Sequence, residues 1–402
     1  MPIAQKLRST KRDRRPSLPP LPLIATLMVA VILLVFNLVD ELTFLQRTPE
    51  GTDFFLYLVA ARLVRAVGWA QTYNPDVFLP VLQAAGVRLQ PYLNPPLVAW
   101  LVMPLSFLSY PVALAAWSGL LAAGGWLVWK LTAPGARAAK LAYGLSALGL
   151  YVVFLSFRLG NVTWLALASL AVSYWLLRKN RVSLAGIALA GLAVKPQVAL
   201  LVPLALLAAG YWRTFLAWAA TTIPIAALSL LVMGLAGFEN FLRAAALAHS
   251  MVGDHQPTLA GVLGWSPLSA VLMAVAAALG LLVAFFGRHS RPELPLAAGI
   301  SASLLASPYV NGADLAGLVL AAWLMLRLQP PIWFRAYLLL GYCELAFAVG
   351  ILPLTVVVEL GFLASLLLIA SRVQQGRGTI SLPLWGRAGW RLVHLIDDGS
   401  PP

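Results

Sequence analysis

The chain runs to 402 residues, 61% hydrophobic and only 10% charged, with 28 Lys and Arg against 14 Asp and Glu for a net charge of +14. Apolar blocks near the roughly 20 residues a helix needs to cross a bilayer follow one another with short polar breaks. That excludes a soluble enzyme, and the lack of alternating apolar and polar positions excludes a membrane barrel.

In chain order, residues 1–20 are basic and read as a cytoplasmic N-terminus. Leu21 to Leu38 is too long for a signal-peptide core and is expected to stay as an anchor. The loop 41–93 follows, external in this reading and carrying two short helices expected to lie on the membrane surface. From Asp53, the residues Phe54, Phe55, Leu58, Ala61 and Val64 recur at helical spacing, with Arg62 and Arg65 elsewhere on the wheel. A second helix begins after Asn74-Pro75, with Asp76 expected as its N-cap and Val77, Leu79, Val81 and Leu82 following. Residues 94–108 would reach only ~22 Å as a helix, short of the ~30 Å core, and read as re-entrant or interfacial. Further spans are expected near 110–130, 141–157, 161–177, 183–194, 197–211, 214–236, 266–287, 295–309, 313–327, 333–350 and 353–371. The fold class is therefore an all-α polytopic membrane protein of about 12 transmembrane helices over residues 21–371. A basic cytoplasmic tail, 372–402, closes the chain. The single cysteine, Cys343, lies inside an apolar block and forms no intrachain disulfide.

Charge orients this arrangement. With 94–108 not crossing and the N-terminus inside, 21 of the 28 Lys and Arg fall on the cytoplasmic side; counting 94–108 as a crossing leaves 9 inside against 19 outside. The positive-inside rule selects the first topology. Most of the basic charge then anchors the inner leaflet and is no footprint for nucleic acid.

That topology gathers the remaining polar breaks on the outer face: the loop 41–93, Arg158 to Asn161, Lys195-Pro196-Gln197, the loop 237–265, and Ser307 to Asp314. Breaks at membrane depth need polar partners or a water-filled cavity, so an outward-facing pocket is expected. Each candidate also has a plain structural reading. Asp53 is a good N-cap for the helix it precedes. Lys195 can interrupt a helical hairpin and snorkel to the interface, although intramembrane ionisable residues are functional candidates by default. Arg158 with Gly160-Asn161 is either a turn or an anion site. Glu344 and Glu359 sit mid-span on adjacent helices.

The ordered motifs GTDFFLYLVAARLV…TYNPDVF, YLNPPLVAWLVMPLSFL, RLGNVTWLALASLAVSYWLLRKN, LAVKPQVALLVPLALL and SPYVNGADLAGLVLA resemble glycosyltransferase family 87. These are polyprenol-phosphate-mannose-dependent mannosyltransferase-like proteins of the GT-C class. The resemblance spans most of residues 50–325. It implies a GT-C-type bundle and transfer of a sugar, mannose by family default, from a polyprenyl-phosphate donor to a lipid or glycan acceptor. The reaction would take place outside the cytoplasmic membrane. It also implies that Asp53 is the base. The family's Tyr-x-x-Pro-Pro element matches Tyr92, Pro95 and Pro96; its Gly-Gln/Asn position matches Gly160-Asn161; its Lys-Pro matches Lys195-Pro196. The late Ser-Pro element appears as Ser307, Pro308, Tyr309 and Asp314, without a histidine found there in some members. Tyr57, Asn94, Arg158, Gln197 and His255 complete the candidate substrate-binding set, His255 within a loop that also offers His249, Ser250 and Asp254.

The chemistry is consistent with such a reaction. Polyprenyl phosphate leaves as a stable anion, so cations holding it and one carboxylate base suffice. A single displacement predicts inversion, with no glycosidase-type pair of carboxylates required. No Asp-x-Asp element is present, no cofactor or metal is called for, and membrane lipids are the other expected partners. Two competing readings are a transporter or lipid flippase using Lys195, Glu344 and Glu359, although no repeat of the transporter type is found, and a non-catalytic membrane scaffold.

Overall fold

The computed structural model describes residues 21–45, 52–252, 256–288, 291–347 and 352–374. Among these the regular structure is all helical, with no strand. The basic N-terminus and most of the tail lie outside the described residues.

The helix Leu21–Leu45 opens the described chain and is fastened by the Asn37 amide, which donates to the Gly149 carbonyl at 3.0 Å. Beyond it, four helices combine span length with strong hydropathy: Tyr110–Thr132, most of Trp212–Val252, Pro267–Phe286 and nearly all of Leu352–Gln374. Arg137–Leu148 and Tyr151–Arg158, bent by 68°, would make a fifth if taken as one broken span. The other segments expected as spans emerge as shorter helices, among them Thr163–Arg178, Val182–Leu189, Val202–Ala208, Glu293–Ala306, Ala316–Arg327 and Ile332–Phe347. The polar breaks explain this. At Lys195-Pro196 the proline withholds a donor and the chain passes through two short 3-10 turns, Ala190–Val194 and Pro196–Val198, so one apolar stretch becomes two half-helices.

Small residues let the helices cross closely. Along Tyr110–Thr132 the buried positions Ala113, Trp117, Leu121, Gly124, Val128 and Thr132 follow helical spacing. A Cβ on Gly124 would sit 3.0 Å from the Trp164 carbonyl oxygen, so this helix presses directly onto Thr163–Arg178. That second helix and Glu293–Ala306 are buried on nearly all sides and form the centre of the bundle.

Three expectations need correction. Residues 237–252, expected as loop, continue the helix Trp212–Val252 past a break at Gly234, whose φ of 63° is left-handed. The polar run Glu239-Asn240 resembles loop punctuation, yet Asn240 donates to the Ala70 carbonyl at 3.0 Å and docks the helix on the first loop. Asp76 is not the N-cap of Pro75–Ala84. Asn74 is, its side chain accepting the Asp76 N–H at 3.1 Å, because Pro75 takes the first helical position where no donor is needed. The helix Thr52–Val67 does not lie on a surface along its whole length. Phe54 to Ala61, apart from half-buried Phe55, are buried on every side of the helix, and only its second half is exposed.

The piece 94–108 forms the short helix Pro96–Val102 and a 3-10 turn, Met103–Phe107. Arg62 donates to the Ser106 and Leu108 carbonyls at 3.4 and 3.0 Å, satisfying acceptors at the C-terminal end of this piece, where cations are favoured.

Candidate active site

The site begins with a docking of two chain breaks. Helix Thr52–Val67 starts against the break after Arg158: the N–H groups of Asp53 and Phe54 donate to the Leu159 carbonyl at 3.0 and 3.2 Å. Those are two donors that a helix N-terminus leaves unpaired. Gly160 makes the docking possible. Its φ is +63°, and a Cβ there would lie 2.7 Å from the Phe54 Cβ. The Trp117 indole donates to the Gly160 carbonyl at 2.7 Å and stacks on Phe54. Asp53, in the first helical turn and nearly buried, is thus fixed beside Asn161.

A relay of hydrogen bonds follows. The Asn161 amide nitrogen donates to Asp53 Oδ2 at 2.5 Å. Its oxygen accepts from Lys195 Nζ at 2.7 Å and from the Thr163 N–H at 3.0 Å. This amide has one orientation only, since one end meets donors and the other a carboxylate. Lys195 Nζ also pairs with Asp314 Oδ1 at 2.5 Å. The Thr163 hydroxyl lies 2.8 Å from the same oxygen, and Asp314 Oδ2 accepts the Asn311 N–H at 3.0 Å. Four elements distant in sequence therefore meet in a line from Asp53 through Asn161 and Lys195 to Asp314. Lys195, only 4% exposed, does not snorkel.

Electrostatics around Asp53 are opposed. Burial pushes its carboxyl above the ordinary range; Lys195, the Asn161 hydrogen bond and the Gln90 side chain pull it down, while Asp314 pushes it up. The first helical turn also favours a carboxylate.

The line forms the polar end of a cavity of about 1110 Å³. Asp53, Tyr57, Asn94, Asn161, Lys195, Gln197 and Tyr309 all line it, and Asp314 stands behind Lys195. The rest is largely apolar and runs along Trp212–Val252, past Ile225, Leu230, Met233 and Phe241. Two candidates are elsewhere. Tyr92 is buried between Tyr73 and Phe78 and shapes the wall from behind. Arg158 points away and pairs with Asp40 and Glu41 at 2.7 and 3.0 Å. His255 and Asp254 lie outside the described residues, and His249 packs edge-on against Trp265 instead of lining the cavity.

Sequence reasoning missed Gln90, whose side chain reaches Asp53, and Arg88, an exposed cation at the cavity wall. Both sit in an ordinary polar loop; their one signal is closeness to the Tyr92 element. Among the described residues no group of three or more His, Cys, Asp or Glu is arranged to hold a metal ion. The groups of the transporter reading form no single path. Lys195 lines the large cavity, Glu344 a smaller one, and fully buried Glu359 neither.

A model of glycosyltransferase family 87 matches residues 92–308, just over half of the chain. No curated protein and no solved structure matches. The matched stretch carries Asn94, Asn161, Lys195 and Gln197. Asp53 lies before it and Asp314 after it, so folding alone adds those two to the line.

Proposed function

The chain belongs to glycosyltransferase family 87, and from that premise we propose that it moves a sugar from a polyprenyl-phosphate donor to an acceptor hydroxyl with inversion. The observation that carries this reading is a buried carboxylate, Asp53, hydrogen-bonded through Asn161 to Lys195 at the polar end of an otherwise apolar cavity. A polyprenyl chain suits the apolar wall along Trp212–Val252, and the phosphate suits the polar end.

In the proposed step Asp53 takes the proton of the acceptor hydroxyl as its oxygen attacks the anomeric carbon. The bond from that carbon to the phosphate oxygen breaks, and the electron pair leaves with polyprenyl phosphate. Lys195 and Arg88 are the cations lining the cavity that can stabilise the charge growing on the phosphate. Asn161 holds the Asp53 carboxylate toward the cavity and ties its position to Lys195. Mannose is the sugar the family favours, and the exterior is the side that charge asymmetry favours for the site.

The test is transfer by purified protein from radiolabelled polyprenyl-phosphate sugars, mannose first, in wild type and Asp53→Asn. General-base catalysis contributes roughly 10²–10⁴-fold, so a loss of that order is expected without a change in melting temperature. Full activity of Asp53→Asn would remove Asp53 from the mechanism. A wild-type protein that uses a nucleotide sugar and no lipid-linked one would remove the donor class.

A further inference from the structure

A second cavity, of about 230 Å³, lies against the first. The two share Arg88, Gln90, Tyr309 and Asn311 in their linings, so these residues border both cavities. Gln90 also lines the large cavity together with Asp53, near enough to pull its carboxyl down. A group seated in the smaller cavity is therefore one side chain away from the proposed base.

The lining differs in kind from the apolar wall of the large cavity. Glu344, 6% exposed, reaches in from Ile332–Phe347; the Thr355 hydroxyl donates to its Oε1, and Oε2 has no partner among the described residues. The buried Oε1 of Gln256 likewise has none. Buried polar oxygens without partners are costly, so a ligand that donates to both recovers that cost. Arg88 and Gln90 supply donors in the same lining, and Val152 and Leu155 apolar surface. Acceptors, donors and a small apolar face in one chamber match the hydroxyls and C–H face of a sugar ring. At about 230 Å³, against about 1110 Å³ for the first cavity, it has room for one ring and not for a lipid chain.

We propose that this smaller cavity is the carbohydrate subsite of the acceptor: it seats one sugar ring, whose attacking hydroxyl passes Gln90 to reach Asp53. The proposal rests on the glycosyltransfer reading and makes the acceptor a glycan or glycolipid instead of a simple apolar alcohol.

Binding without donor tests it independently of turnover. Octyl α-mannoside, octyl β-glucoside, octyl β-galactoside and octanol are titrated by calorimetry into protein held in a detergent without a sugar headgroup. At least one octyl glycoside is expected to bind tenfold or more tightly than octanol. Glu344→Ala and Gln256→Ala are each expected to weaken that glycoside about tenfold, with the KM for lipid-linked donor within twofold of wild type. Gln256 stands at a loop, so its variant keeps the test open if Glu344→Ala does not fold. Octanol binding as tightly as every glycoside, or both variants binding the glycoside like wild type, overturns the proposal. Because no transfer is measured in the titration, a failure of Asp53 as base leaves this result standing, and the reverse also holds.

Discussion

Among the described residues, two fully buried carboxylates hold a cation: Asp314 with Lys195 at 2.5 Å, and Glu293 with Arg178 at 2.8 Å. Both carboxylates are fully buried, and each has a hydroxyl in reach, Thr163 for one and Tyr174 for the other. Their settings differ. Lys195 is enclosed, lines the large cavity and passes its interaction through Asn161 to a second carboxylate. Arg178 is 37% exposed at its side chain, and Glu293 lies in the first turn of Glu293–Ala306, where a negative charge is favoured. A buried ion pair alone therefore says little about function; contact with a cavity and a link to a further titratable group separate the two.

The comparison breaks most sharply at Asp53. Asp53→Asn should lower the transfer rate roughly 10²–10⁴-fold with the fold intact, whereas no single change at the Arg178–Glu293 pair should approach that. Next comes Lys195→Met. Removing one partner of a buried pair typically costs about 3–5 kcal/mol, because the other charge stays buried. Thermal melting in detergent should report this, and the double variant Lys195→Met/Asp314→Asn should regain part of it without regaining activity. The pH profile sharpens the point. Asp53 must be ionised to act as base, so activity falls as pH drops through its raised pKa. Lys195 lowers that pKa; in Lys195→Met the acid limb of kcat/KM should move to higher pH. An unmoved limb would show that the ammonium does not reach the base.

Arg88→Ala should have a smaller effect, raising the KM for the lipid-phosphate donor about tenfold, with kcat reduced less and the melting temperature unchanged. Its side chain is exposed, so the loss reports chiefly on ligand. An unchanged donor KM would leave Lys195 as the sole cation for the phosphate.

The contrast between the two pairs also explains what the sequence revealed. Lys195, Asn161 and Asp314 stood out because polar residues are rare inside apolar blocks, and the cost of burying them demands partners. Their partners were not visible. Lys195 and Asp314 are over a hundred positions apart, and nothing in either segment tells a pair from two separate interface groups. Arg158 shows the same gap in reverse: beside Gly160-Asn161 it resembled an anion site, yet Asp40 and Glu41 at the end of the first helix hold it. Gln90 and Arg88 stayed hidden because polar residues in a polar loop carry no contrast. For the fold, helical class followed from composition, while the number of crossings did not. Short half-helices such as Val182–Leu189 and Val202–Ala208 depend on the break at Lys195-Pro196 and on packing, the first with Trp212–Val252 and Thr163–Arg178, the second with Glu293–Ala306, which hydropathy alone does not describe.

The smallest functional effect is expected at the second pair. Glu293→Gln keeps the shape and an acceptor for the Tyr174 hydroxyl but removes the charge facing Arg178. Charge-assisted hydrogen bonds contribute about 1.5–3 kcal/mol, so the melting temperature should fall. Because Arg178 is partly exposed, water compensates it, and the loss should be less than that of Lys195→Met. Neither residue lines the large or the small cavity, so kcat, donor KM and the acid limb of the pH profile should all match wild type. A change in the acid limb would be the informative exception. It would mean that the charge on Glu293 reaches Asp53 through the central helices, and cavity contact would no longer distinguish the catalytic pair from the structural one.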